Sequence, residues 1–172
     1  ALVAASAGQE MAGLSHMSEA YGRAVLADPT ATSLIAHELA HQWWGNLVTN
    51  RDWTHFWLNE GLVTFMAAAY KERARGRDAY LADVDGWRRR VEQLRAAGRD
   101  KPLVFPDWNR PTADDRAVVY QKGALAFHEL RQQLGDAAFW AALRAYTKAH
   151  AGQSVTSADL QRGFETSSGR NL

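Results

Sequence analysis

Two histidines, His37 and His41, stand four residues apart, with Glu38 beside the first and Glu60 after eighteen intervening residues. On a helix this spacing puts both imidazoles on one face, about 6 Å apart along the axis at ~1.5 Å rise per residue. Imidazoles so placed can converge on one cation. Glu38 lies roughly 100° around the same helix, so its carboxylate points beside the ligands and can take a proton from a metal-bound water. The distance to Glu60 lets the helix end, turn and return antiparallel. Two histidines, one carboxylate and an open fourth position are what a catalytic zinc requires.

Two helices must position these groups. The first is expected from Asp28 as N-cap and Pro29 at the first helical position, with Gly45 after its last turn. The second is expected over Thr54 to Arg75, with Leu58, Leu62, Phe65, Met66 and Ala69 on one side and Glu60 in its opening turns. Thr54, or Asn59 for a later start, would cap it.

The chain has 172 residues, 47% of them hydrophobic, which is enough for a real core in one domain. Twenty basic residues against nineteen acidic ones give a net charge of +1, so bulk electrostatics offers no case for nucleic-acid or membrane binding. Cysteine is absent, which removes disulfides and thiolate metal sites and leaves histidine and carboxylate as the strong zinc ligands. That composition suits cytoplasm and periplasm, with the cytoplasm slightly favoured. No apolar run approaches the ~20 residues that span a bilayer. Residues 1–7 are apolar but carry no basic leader, and there is no initiator Met; a fragment or a processed chain is expected.

In order, Ala1 to Leu14 reads as an extended segment ending in a glycine turn, and Ser15 to Leu26 as a short helix or irregular connection. Leu47-Val48-Thr49 is a candidate short strand. Arg77 to Ala97 shows helical periodicity through Tyr80, Leu81, Val84, Trp87, Val91 and Leu94, with Arg88-Arg89-Arg90 as a solvated face. Gly98 to Asp114 holds three prolines and should be a loop. Arg116 to Leu134 is expected to be helical with Val119, Leu125, Ala126, Leu130 and Leu134 inward. Asp136 to His150 forms another helix, and Thr156 to Asp159 caps a last one ending near Ser167. His128, His16, His55 and His150 read as structural or surface residues. The architecture is mainly α, with a short β segment near the start.

The run His37-Glu38-Leu39-Ala40-His41-Gln42-Trp43-Trp44-Gly45-Asn46, followed by Trp57-Leu58-Asn59-Glu60-Gly61, closely resembles the M1 family of zinc aminopeptidases. Tyr120-Gln121-Lys122-Gly123-Ala124 is similar to that family's Tyr-Glu-Lys-Gly-Ala segment, and Ser168-Gly169-Arg170-Asn171-Leu172 to its Ser-Gly-x-Asp-Leu stretch. The resemblance implies a thermolysin-like catalytic domain over residues 1–172, without the family's preceding β-sandwich and following helical domains. It implies one zinc per chain on His37, His41 and Glu60, Glu38 as general base, and Tyr120 as the hydroxyl that steadies the oxyanion. Near the start, Ala7-Gly8-Gln9-Glu10-Met11-Ala12-Gly13-Leu14 aligns with the family's Gly-Ala-Met-Glu-Asn. Here Gln9 replaces Met and Met11 replaces Asn. By resemblance Gly8, Gln9 and Glu10 contact substrate, with the Glu10 carboxylate on the free α-amino group.

The resemblance therefore implies hydrolysis of the amino-terminal bond of peptides with a free N-terminus. Three alternatives stay open from the sequence: epoxide opening at the same zinc, a zinc-binding fragment that works only when docked to partner domains, and endopeptidase action.

Overall fold

The computed structural model describes residues 2–3 and 8–172. Residue 1 and residues 4–7 lie outside it, and with them most of the apolar stretch 1–7 and the first residue, Ala7, of the run that aligns through Leu14. Four short strands, β1 (Leu2–Val3), β2 (Met17–Ser18), β3 (Val48–Asn50) and β4 (Gln153–Val155), form two parallel pairs, β1 with β2 and β3 with β4. Among the described residues there are eight α-helices: α1 (Glu19–Ala27), α2 (Ser33–Ala40), α3 (Trp57–Arg75), α4 (Arg77–Ala96), α5 (Ala113–Ala117), α6 (Gly123–Leu134), α7 (Asp136–Ala149) and α8 (Ser157–Ser168). The mainly α architecture expected from the sequence is the one observed. β4 was not expected; it pairs with β3 from more than a hundred residues away.

α3 is the centre of the fold. Leu62, Val63, Phe65 and Ala68 are buried on different sides of it, so it is packed nearly all round rather than along one stripe. Phe65 meets Tyr80 of α4, Phe127 of α6 and Phe139 of α7, with ring centroids 5.3–6.3 Å apart. Where α3 crosses α6, backbone lies on backbone. A Cβ at Gly61 would stand 2.8 Å from the Gly123 Cα and 2.9 Å from the Val119 carbonyl oxygen. No side chain fits there, so these two glycines set how closely the start of α3 approaches the start of α6.

Three boundaries differ from the sequence reading. The first motif helix begins at Ser33, not at Pro29. Asp28 instead accepts the Thr30 N–H (2.9 Å) and hydroxyl (2.7 Å), closing a turn that takes residues 29–30 out of the helix. The freed helix start is served from outside: the Tyr21 hydroxyl accepts the Ile35 N–H at 3.3 Å and donates to the Ala31 carbonyl at 2.6 Å. Secondly, neither Thr54 nor Asn59 caps the second motif helix. Asp52 accepts the Thr54 N–H at 3.0 Å and opens a 3₁₀ turn over Trp53–His55 that leads into α3. Asn59 faces β3 and accepts the Asn50 N–H at 3.1 Å.

Thirdly, the helix expected over 116–134 starts three residues earlier, behind a Thr112–Asp115 capping box, and winds as a π-helix over Val118–Lys122. A π turn holds an extra residue and rotates the downstream face by ~100°. Accordingly Gly123, Ala124, Phe127, His128, Arg131 and Leu134 are the buried positions of α6; Val119 and Leu134 are buried as expected, while Leu125, Ala126 and Leu130 are only half-buried. The candidate strand at 47–49, the helices near 77–97 and 136–150, and the capped start at Thr156 are found within a residue or two of expectation.

Candidate active site

His37 sits in the last turns of α2, and His41 immediately follows them with helical backbone angles. Glu60 lies in the first turn of α3. Their donor atoms all fall within 4.8 Å of one another. His37 Nε2 is 3.2 Å and His41 Nε2 3.5 Å from Glu60 Oε2, and the two rings meet edge to face at 5.0 Å. His41 is 1% exposed and Glu60 4%. Burial alone would raise the Glu60 carboxyl, but the two imidazoles outweigh it and hold its pKa at about 2. Burial opposes charge on His41 as well, and Glu60 overrides that and raises it. This field favours positive charge between the three side chains.

The donor set fits a divalent cation of zinc's type, and two features aim it. His41 Nδ1 is 2.9 Å from the Trp44 carbonyl oxygen, so Nδ1 carries a hydrogen and, in the neutral ring, the Nε2 lone pair is left for a cation shared with Glu60. Gly45, at φ +132°, makes this possible: a Cβ there would stand 2.7 Å from His41 Nδ1. The His37 ring lies parallel to that of Tyr120, centroids 5.9 Å apart, which fixes its plane.

Glu38 is 5% exposed, and its Oε2 has no hydrogen-bond partner. Burial raises its pKa above the ordinary carboxylate value, with Glu10 and Glu60 adding to the effect against the two histidines. An unpaired buried carboxylate oxygen costs on the order of 1–3 kcal/mol, a cost expected where a ligand atom completes the set. Gly8 closes over this carboxylate, and a Cβ on it would collide with Glu38 Oε1. Tyr120 comes from the π turn; partly buried against the core, its ring lies beside His37. Burial, then the Glu60 charge beside it, raises its hydroxyl pKa, so it stays a proton donor.

The Gly8–Glu10 segment reaches the cluster from the other side. Glu10, Glu38 and His41 also have donor atoms within 4.8 Å of one another. Gln9 donates from Nε2 to Glu10 Oε2 at 2.9 Å, and its backbone pairs with His16 in an antiparallel bridge. Its exposed side chain turns toward Glu10 rather than into a pocket wall. Gln42, the residue after the second histidine, holds this segment down, accepting the Gly13 N–H at 2.7 Å and donating to the Met11 carbonyl at 2.9 Å. Sequence reasoning gave Gln42 no role, and its place in the motif was the available signal. His128 is structural as expected, buried with Nδ1 2.7 Å from the Tyr80 hydroxyl. His55 is half-buried rather than on the surface, 3.0 Å from the Ser157 hydroxyl.

A helix pair presenting two imidazoles and a carboxylate, with a second carboxylate beside them, defines the class of HExxH metallopeptidases. The model of the peptidase family M1 domain matches residues 17–172, and the chain belongs to that family. It is 34% identical over 145 residues to Aminopeptidase M1 of Arabidopsis thaliana, covering 80% of this chain and 16% of the relative. To Leukotriene A-4 hydrolase of Xenopus laevis it is 32% identical over 141 residues, covering 78% and 23%. The crystal structure of an M1 zinc metallopeptidase from Deinococcus radiodurans, bound to a Tyr-Ser-Ala substrate, superposes with a TM-score of 0.78 at 32% identity. That match covers 98% of this chain and 35% of the other. The chain thus spans less than a quarter of these curated relatives' length.

Proposed function

We propose that this chain is the zinc-bearing core of an M1 aminopeptidase catalytic domain, completed by further domains in a longer protein. It would release amino-terminal residues from peptides with a free N-terminus. The observation that carries this reading is the convergence of His37, His41 and Glu60, with the unpartnered Glu38 carboxylate beside them. In this reading His37, His41 and Glu60 hold one zinc per chain. When bound, the ion lowers the pKa of water to about 7 and polarises the scissile carbonyl.

The chain's own residues do the rest. Glu38 takes a proton from the attacking water and returns it to the leaving amine; its raised pKa suits both transfers. Tyr120 donates its hydroxyl hydrogen to the developing oxyanion, an interaction made in the transition state and worth ~3 kcal/mol. Glu10 pairs with the substrate ammonium, which would restrict cleavage to the first bond. Gly8, without a side chain, lets its own backbone close onto Glu38 and border the substrate's path, and Gln9 holds the Glu10 carboxylate in place.

The test is Glu38→Gln. It should keep the zinc content of the parent and lower turnover of aminoacyl amides about 10³-fold. A variant that binds zinc and turns over at the parental rate removes Glu38 as the base.

A further inference from the structure

Residues 8–16 fold back on themselves as a small hairpin beside the end of α2. Gln9 and His16 exchange both backbone hydrogen bonds at 2.9 Å, and the Leu14 N–H closes the turn on the Met11 carbonyl at 2.9 Å, with Gly13 at φ +76°. The tip, residues 11–14, is exposed, so packing does little to hold it. Gln42 holds it instead: its side-chain amide accepts the Gly13 N–H at 2.7 Å and donates to the Met11 carbonyl at 2.9 Å. Among the described residues these are the only hydrogen bonds from the body of the fold to residues 11–13. The base of the hairpin is fixed about one turn earlier on the same helix end. Gly8 lies against the Glu38 carboxylate, and the Ser15 hydroxyl donates to the Glu38 carbonyl at 3.3 Å.

Glu10 lies between these two fixed points, with donor atoms of Glu38 and His41 within 4.8 Å of its own. Its distance from His41 is therefore set by two neighbours of His41 in the chain, Glu38 before it and Gln42 directly after it. Glutamine suits the second place. One side-chain amide offers an acceptor and a donor to a backbone N–H and a carbonyl at once, and, being uncharged, does not compete with Glu10 for an ammonium. Resting on the amino-group anchor assigned above to Glu10, we propose that Gln42 is a positioning residue that fixes the separation between the metal ligands and that anchor. It acts on the substrate only through Met11, Gly13 and Glu10. Without its two hydrogen bonds Glu10 moves with the exposed hairpin tip, and ordering the tip on binding offsets what the carboxylate gains from the ammonium. The substrate's amino group then counts for less, while the metal ligands, which the helix pair holds, are unaffected.

The test is calorimetric binding of leucine hydroxamate to the zinc-loaded chain, against the same hydroxamate lacking the amino group. Both ligands hold the metal through the hydroxamate and differ in the ammonium alone. The parent should bind the amino ligand about tenfold tighter, and Glu10→Ala should bring that ratio to about one. Gln42→Met, close in shape, should lower the ratio to about two and leave zinc content and the affinity of the ligand without the amino group at parental values. In the Glu10→Ala background Gln42→Met should change neither affinity, because Gln42 acts through Glu10. A tenfold ratio that survives Gln42→Met overturns the assignment. So does equal weakening of both ligands, which makes Gln42 a support of the fold or of the metal site. The level below fails differently: a parent with no preference for the amino ligand contradicts the Glu10 anchor and takes the assignment with it. Failure of both hydroxamates to bind the zinc-loaded parent contradicts the peptidase reading.

Discussion

α3 carries an acid near each end, and the structure treats the two in opposite ways. Near the C-terminal end, Glu72 belongs to a cluster that satisfies itself. Arg131, 3% exposed, donates to both Asp136 carboxylate oxygens at 2.8 Å and to Glu72 at 2.6 Å, and Arg77 takes the other Glu72 oxygen at 2.6 Å. The Arg131 guanidinium lies over the Tyr80 and Trp140 rings, and Tyr80 is hydrogen-bonded to His128. At the N-terminal end, Glu60 is pulled between two histidines, and around it Glu38 Oε2 and Thr64 Oγ1 have no partner. A saturated polar cluster fixes helices against one another. An incomplete one, held in shape by its surroundings, is where a fold keeps bonding capacity for something else.

Variants that act on one end and spare the other sharpen this contrast. Tyr120→Phe at the incomplete end should lower kcat about 10²–10³-fold with little change in KM and in unfolding free energy. A pure KM effect would place Tyr120 outside the transition state. At the saturated end, Arg131→Leu should destabilise by about 3 kcal/mol in chemical denaturation, the low end for a broken buried pair because Asp136 keeps its water. Its zinc content should match the parent's; loss of zinc at full stability would show the ends to be one unit.

The smallest effect is on acid stability. Burial raises Glu72, but Arg131 and Arg77 outweigh it and hold the carboxyl below its ordinary value of 4.5. A carboxylate lowered in the folded state contributes stability that is complete above 4.5 and is lost as pH falls below it. Unfolding free energy should therefore drop below pH 4.5, less steeply in Arg131→Leu than in the parent. Equal slopes would mean that other carboxylates set the acid limb.

Much of this site could be read from the chain because its chemistry is local. Four-residue spacing alone puts His37 and His41 on one helix face, and the return to Glu60 needs only a turn between two helices. What escaped the reading depends on partners distant in sequence. Asp28 and Pro29 form a sound helix start by composition, yet Asp28 spends its carboxylate on Thr30, and the helix opens at Ser33 under the hydroxyl of Tyr21. The π turn at Val118–Lys122 breaks the 3.6-residue period on which the inward face of α6 was inferred. Gly61 and Gly123 look like weak points in two helices; their use appears only when the helices cross.

The central claim is that His37, His41 and Glu60 hold a metal. Its most direct test is zinc content after dialysis of the parent chain and of Glu60→Ala. About one zinc per parent chain and almost none in the variant is the expected result. A parent chain that dialyses free of zinc, or a variant that keeps a full complement, would contradict the account.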